Sequence, residues 1–334
     1  MTVPRRSLSS VWSCGRAIGT IATASPTQAT PYIGRFAPSP TGPLHFGSLL
    51  AAVASYLEAR SRGGQWLVRI EDIDPPREHP GSAKLILDAL ERYGFEWTGE
   101  PSFQSSNRDA QDAAVQDLLD TGLAYRCGCS RRDLAREPQG PLGTIYPGTC
   151  RAGFDGDEYA VRVRTDDTPV DFEDLLQGPH AQRLESESGD FIILRRDGLI
   201  AYQLAVVVDD YLQGITEVVR GVDLLDSTPR QIWLQRLLGY PTPAYMHIPV
   251  AVNAAGQKLS KATGAPAISS EHPQATLVAA LLALQQRVPR GLETGSLTDL
   301  WNWASANWTR TPLQGQTVVE TAKIAMAAAE NGLR

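Results

Sequence analysis

Short runs of apolar and polar residues along the chain are broken by Gly and Pro clusters and separated by longer Ala- and Leu-rich stretches. Tyr32-Ile33-Gly34-Arg35-Phe36 reads as a strand, and the breaker-rich loop Ala37-Pro38-Ser39-Pro40-Thr41-Gly42-Pro43 follows it. An apolar helix is expected over residues 47–62, stopped by Gly63-Gly64, and residues 65–70 (QWLVRI) read as the next strand. Strand, loop, helix, strand is a βαβ unit, which implies a parallel sheet. A ligand is then expected at the carboxyl ends of the strands, against the helix N-terminus. Helical patterns cover residues 82–93 and 107–119, and Thr121-Gly122 ends the second. Residues 159–164 (YAVRVR) alternate, and residues 191–194 with the turn Arg195-Arg196-Asp197-Gly198 suggest a hairpin. The apolar run 204–208 and residues 217–220 are expected in the second half of the sheet. Thr228-Pro229 opens a helix to about Leu238. The chain is largely helical from about Glu271 onward.

The expected fold is therefore α/β: a Rossmann-type parallel-sheet nucleotide-binding domain with a cysteine-bearing insertion and a helical C-terminal portion. The first half spans residues 32–126 and the metal-knuckle insertion 127–150. The rest of the insertion and the second half span 151–270, and the helical portion 271–334. With 334 residues, 42% hydrophobic and 20% charged, the chain can bury a large core. It has no apolar run of the length, about 18 residues, that a membrane span needs, so no membrane partner is expected. A net charge of −6 argues against a strongly basic nucleic-acid binder but leaves room for a local basic stripe. Four cysteines, three of them clustered, do not make a disulfide framework, and a monomer in a reducing cytoplasm is the simplest setting. Residues 1–31 carry Arg5, Arg6 and Arg16 and no acidic residue. An organellar targeting segment reads this way. A disordered or non-native extension, which would also hold Cys14, is the expectation adopted.

Two separated signatures carry the chemistry. Pro38-Ser39-Pro40-Thr41-Gly42-Pro43-Leu44-His45-Phe46-Gly47-Ser48 lies between strand and helix. Its glycines let a nucleotide approach the backbone, the helix N-terminus favours phosphate, and His45 can donate to a phosphate oxygen. By itself it also reads as an ordinary proline-rich turn with a capping histidine. The second is Gln257-Lys258-Leu259-Ser260-Lys261, whose mobile point charges suit a leaving pyrophosphate. By itself it also reads as a solvated basic turn.

In this order the two segments resemble the HIGH and KMSKS signatures of class I aminoacyl-tRNA synthetases. His45-Phe46-Gly47-Ser48 departs from the first at its second and fourth letters. Lys258-Leu259-Ser260-Lys261-Ala262 departs from the second at its second and last. The segments Arg35 to Gly42, Arg69-Ile70-Glu71-Asp72-Ile73-Asp74 and Val219-Arg220-Gly221-Val222-Asp223 narrow the resemblance to the glutamyl branch. The resemblance implies a glutamate pocket of Arg35, Phe36, Ala37, Pro38, Ser39, Glu71, Tyr202 and Arg220, with Arg35 facing a carboxylate and Glu71 the ammonium. It implies ATP contacts from His45, Gly47, Lys258, Ser260 and Lys261, with His45 and Lys261 catalytic and Mg²⁺ on the phosphates. The residue chemistry is consistent with this, because glutamate needs one buried anion for its ammonium and cations for its carboxylates. Taken alone, Arg35 and Arg220 also fit strand-end ion pairs, Glu71 a partner of a neighbouring arginine, and Tyr202 a core tyrosine.

Cys127-Gly128-Cys129 and Tyr146-Pro147-Gly148-Thr149-Cys150 suggest a metal knuckle. Three thiolates supply most of a tetrahedral zinc site, and no histidine lies between Cys129 and Cys150 to complete it. Three free buried thiols are the alternative. In the family resembled a tyrosine supplies the fourth ligand, in the place held here by Tyr146, giving one structural Zn²⁺ per chain. Residues 262–334 leave no room for the large helical anticodon-binding portion that full-length glutamyl-tRNA synthetases carry. The chain thus resembles the short subfamily lacking that portion, which implies activation of L-glutamate by ATP without tRNA, then transfer to queuosine at the wobble position of tRNA(Asp). The alternatives are a minimal enzyme charging the 3′ end of tRNA(Glu), an enzyme loading a carrier or small amine, and a non-catalytic paralogue acting as a binding module.

Overall fold

The structure, a computed structural model, describes residues 31–259 and 265–320. Ser260, Lys261, Cys14 and nearly all of the expected N-terminal extension lie outside the described residues.

The chain opens with β1 (Ile33–Phe36), α1 (Phe46–Ser61) and β2 (Gln65–Ile70), and β1 and β2 pair in parallel from Ile33↔Gln65 to Phe36↔Val68. Then come α2 (Ser82–Arg92), β3 (Ser102–Phe103), which pairs in parallel with β2, α3 (Arg108–Asp120) and β4 (Ala124–Cys127). The insertion contains the small hairpin β5 (Gln139–Gly140) and β6 (Gly143–Thr144). Beyond it lie β7 (Ala160–Val163), antiparallel to β4, and the hairpin β8 (Val170–Asp174) and β9 (Gly178–Gln182). A short α4 (Leu184–Glu187) leads to β10 (Ile192–Leu194), which pairs with β7, and then to α5 (Tyr202–Leu212). The second half of the main sheet is β11 (Glu217–Gly221), α6 (Thr228–Leu238) and β12 (Ala244–Ile248), with β11 and β12 parallel. The Thr216 N–H donates to the Ile33 carbonyl at 2.9 Å, setting the start of β11 beside the start of β1. The last described elements are β13 (Val250–Val252), α7 (Pro273–Ala283), α8 (Leu297–Asn307) and β14 (Val318–Glu320).

Because side chains alternate across a strand, the sheet buries two faces. Phe36, Val68, Ile70, Val219 and Ile248 pack with α1, α7 and α8. Ile33, Leu67, Val218 and Tyr245 pack on the opposite face with α3, α5 and α6. This three-layer α/β arrangement explains why α1 is apolar almost all round: Leu49, Leu50, Val53, Tyr56 and Leu57 are all buried. Tyr56, Trp66, Phe95 and Trp301 fill the first core with edge-to-face and stacked rings 4.7–5.4 Å apart, which favours one packing arrangement over many.

Two expectations differ from the structure. Leu204 to Val208 form part of helix α5, not a strand. All five are buried, and an apolar run covered on every side has no period to separate helix from strand. The C-terminal portion also contributes a strand, β14, which pairs in parallel with β13. Among the described residues no helix is long and apolar enough to cross a membrane.

Candidate active site and metal site

A cavity of about 660 Å³ opens at the carboxyl ends of β1 and β11 and at the start of α1. This is where a doubly wound sheet leaves a crevice between diverging connections. Arg35, Phe36, Ala37, Pro38, Ser39, His45, Gly47, Glu71, Tyr202, Arg220 and Lys258 all line it. Every described residue expected to bind glutamate or ATP therefore meets in one place.

The loop after β1 is held against β2 by the Glu71 N–H, which donates to the Pro38 carbonyl at 3.0 Å. His45 caps α1, its Nδ1 accepting the Ser48 N–H at 3.3 Å. A side chain at position 47 has little room: its Cβ would lie 3.1 Å from the His45 ring and 3.2 Å from the Leu259 carbonyl. The glycine thus brings the segment holding Lys258 and Leu259 onto the start of α1. On the far side of residues 260–264, Ile268 donates its N–H to the Leu44 carbonyl at 3.0 Å. Lys258 Nζ donates to Asp223 Oδ2 at 2.6 Å, at the cavity edge.

The floor is a buried charge network that the sequence reading missed. Arg35 donates through Nε (3.0 Å) and Nη2 (3.4 Å) to Asp210, which leaves the N–H groups of Nη1 and the second N–H of Nη2 for a ligand. Arg69, fully buried, reaches Asp210 at 2.8 Å, Glu71 at 3.4 Å, Asp209 at 3.8 Å and Gln213 Oε1 at 2.6 Å. Burial pushes the Glu71 carboxyl up, against the pull of Arg69 and Arg35. Asp210 is equally desolvated, yet the two guanidiniums hold it below the ordinary carboxylate range. Asp210 thus carries the charge that anchors the arginines, while Glu71 faces the cavity. The acidic pair inside the apolar run Val206-Val207-Val208-Asp209-Asp210 was the available signal, since a buried charge demands a partner.

Tyr202 stands in the first turn of α5, and burial raises its phenol above the usual range. Arg220 donates from Nε to His247 Nε2 (3.0 Å) and from Nη2 to Thr228 Oγ1 (2.9 Å). Its buried Nη1 has no hydrogen-bond partner among the described residues. An unsatisfied buried guanidinium N–H costs free energy until an acceptor meets it, and Arg220 is a residue of the cavity lining. A second recess of about 360 Å³ adjoins Glu71 and Tyr202 and is lined also by Asp74, Arg77, Gln104 and Arg195.

In the insertion, the sulfurs of Cys127, Cys129 and Cys150 lie within 4.8 Å of one another, so these residues can hold a metal ion. Cys129 and Cys150 Sγ are 3.6 Å apart, and Tyr146 Oη is 3.4 Å from Cys127 Sγ and 3.8 Å from Cys129 Sγ. Thiolates about 2.3 Å from a tetrahedral ion sit about 3.8 Å apart, so the spacing fits such a site. Arg162, also missed in the sequence, places Nε 3.3 Å from Cys127 Sγ and stacks over the Tyr146 ring at 3.9 Å. A guanidinium there would help balance the charge of thiolates around a bound ion.

Residues 33–282 match the catalytic domain family of class I tRNA synthetases of the E and Q type. The chain is 53% identical over 295 residues to a glutamyl-Q tRNA(Asp) synthetase of Dechloromonas aromatica, covering 87% of this chain and 98% of that one. It is 53% identical over 281 residues to the protein of that name from Pseudomonas aeruginosa, covering 84% and 94%. In fold it is similar to a glutamate-tRNA synthetase from Elizabethkingia anophelis, with a TM-score of 0.75 at 23% identity over 91% of this chain and 71% of that one. Half-identity sustained over nearly the full length of its relatives, on a class I synthetase fold, places the chain in the glutamyl-Q tRNA(Asp) synthetase family of ligases.

Proposed function

We propose that the chain activates L-glutamate with ATP, without tRNA, and passes the glutamyl group to queuosine at the wobble position of tRNA(Asp), working as a monomer in the cytoplasm. The observation that carries the reading is that Glu71 and Arg220, whose buried Nη1 has no hydrogen-bond partner among the described residues, line one cavity. A ligand matching both is an amino acid with an additional carboxylate. Glu71 accepts hydrogen bonds from the ammonium, while Arg220 and the remaining N–H groups of Arg35 meet carboxylates.

The α-carboxylate of the bound amino acid attacks the α-phosphorus of ATP in line, forming glutamyl-adenylate as pyrophosphate leaves. Positioning and charge stabilisation suffice for this step, so no protein nucleophile is needed. His45 at the start of α1 and Lys261, with Lys258 and Ser260, stabilise the phosphate charge as it builds. Mg²⁺ bound with ATP supplies further neutralisation there. A hydroxyl of the queuosine cyclopentene diol then attacks the acyl carbon and AMP leaves. The recess beside Glu71 and Tyr202 gives an acceptor nucleoside room next to the activated carbon.

The test supplies labelled glutamate and ATP with three RNAs: tRNA(Asp) bearing queuosine, the same tRNA without it, and tRNA(Glu). Only the first is expected to take label, and removal of its 3′ adenosine should not abolish labelling. Efficient labelling of tRNA(Glu) would instead favour a minimal glutamyl-tRNA synthetase.

The ion in the insertion is proposed to be a single structural Zn²⁺, held by Cys127, Cys129, Cys150 and Tyr146. Elemental analysis should find about one zinc per chain. Cys127→Ser should lose the metal and raise protease sensitivity within residues 127–150, with pyrophosphate exchange much less affected, because the ligands organise that loop alone. A metal-free preparation with an equally protease-resistant insertion would refute the assignment.

A further inference from the structure

Arg220 is aimed by residues on two neighbouring strands. In the parallel pairing of β11 with β12 it lies opposite His247, and β12 in turn meets β8 at Tyr245↔Asp174. His247 is fully buried and Asp174 nearly so. Three linked contacts run from one to the next. Asp174 Oδ2 lies 2.6 Å from His247 Nδ1, and His247 Nε2 lies 3.0 Å from Arg220 Nε. Arg220 Nη2 then donates to Thr228 Oγ1 at 2.9 Å.

We propose that Asp174, acting through a tautomer-locked His247, is a positioning residue that turns Arg220 toward the substrate carboxylate. The proposal rests on the glutamate-binding reading of the cavity. An arginine Nε always carries hydrogen, so His247 Nε2 must be the accepting, unprotonated nitrogen. Its single proton then sits on Nδ1 and points at Asp174. The carboxylate cannot rotate to present anything else, because its Oδ1 accepts three backbone N–H groups: Leu176 at 3.0 Å, Gln177 at 2.9 Å and His247 at 3.2 Å. Burial, reinforced by Arg220, pushes His247 down to about 4 despite Asp174, so the ring stays neutral at physiological pH. With Nε and Nη2 both held, the guanidinium plane is fixed, and Nη1 is the nitrogen of this cavity-lining arginine left without a partner among the described residues.

This geometry makes Asp174→Asn an informative substitution. The three backbone donors force the amide oxygen into the Oδ1 place, so the amide NH₂ must face His247 Nδ1. The ring proton then moves to Nε2 and opposes the Arg220 Nε–H, donor against donor. In ATP–pyrophosphate exchange the KM for glutamate should rise about tenfold or more, the scale of one lost hydrogen bond to a charged group. Turnover at saturating glutamate should fall much less, and the KM for ATP should not move. His247→Gln keeps an acceptor for Arg220 and a donor for Asp174, and should hold the glutamate KM well below that of His247→Leu. Nitrogen-15 spectra of the histidine rings should find Nδ1–H in the parent protein and Nε2–H in Asp174→Asn. Arg220→Ala separates the two layers of the argument. If it leaves the glutamate KM unchanged, the reading of the cavity fails. If it raises that KM while Asp174→Asn flips the tautomer without effect, the relay is overturned. Should Asp174→Asn not fold, equal glutamate KM values for His247→Gln and His247→Leu would overturn it equally.

Discussion

Replacing Glu71 by glutamine is expected to raise the KM for glutamate in pyrophosphate exchange by about 30- to 1000-fold, corresponding to roughly 2–4 kcal/mol of lost charge pairing. The carboxylate lies just beyond β2, only 8% exposed, with Arg69 at 3.4 Å and Arg35 nearby. A substrate ammonium entering this cavity meets the guanidiniums of Arg35, Arg77 and Arg220 in its lining, and Glu71 is a carboxylate on the wall that offsets them. The glutamine amide removes that charge and adds a donor where an acceptor is needed. The fold should survive, because Arg69 keeps Asp210 at 2.8 Å and Gln213 at 2.6 Å. ATP binding at the start of α1 should be unaffected. A variant with unchanged glutamate KM would place the ammonium site elsewhere.

Arg69→Met should cost about 3–5 kcal/mol of stability, the usual penalty for removing one partner of a buried ion network. For a domain of this size the melting temperature should fall by roughly 10 °C. Arg69 has no exposed side-chain surface and stands among three acids, Glu71, Asp209 and Asp210. Asp209 is softened by burial, which raises its carboxyl even against Arg69 and the Gln104, Asn107 and Gln111 amides. Asp210 is not, and would keep Arg35 alone at 3.0 Å. Methionine fills similar volume, so the loss would report charge and not a cavity. Arg77→Met is the control: its ion pair with Asp74 is largely solvated on the arginine side and should be worth about 1 kcal/mol or less. Equal melting temperatures for the two variants would mean the network adds nothing to folding.

Much of the architecture was legible because its signals are local. Residues 65–70 end in Gly64 on one side and an acidic loop on the other, and form β2 as expected. Thr228-Pro229 opens α6, and Gly239 closes it with the positive φ of 68° that glycine adopts most readily. The pocket residues Arg35, His45, Glu71, Tyr202 and Arg220 were implied by the resemblance to the glutamyl branch, and the structure brings all five to one cavity. The run 204–208, expected in the sheet, is instead part of α5: burial on all sides erases the period that distinguishes helix from strand.

The sequence by itself determined the opening βαβ unit, the two signature segments and the cysteine cluster, and its resemblance to the glutamyl branch implied the residue types of the pocket. These follow from spacing, turn chemistry and motif, all of which act over a few residues. Only the tertiary structure decided which groups face which. Parallel pairing sets Arg220 opposite His247 and brings Asp174 to the ring, and the packing of α5 against β1 and β2 sets Asp210 between Arg35 and Arg69. Those partners lie 27, 73, 175 and 141 positions apart, the last being the span from Arg69 to Asp210 (210 − 69). A buried charge announces that it needs a partner, but the desolvation penalty is the same wherever in the chain that partner lies. The identity of the partner is therefore written in the sheet register and helix packing.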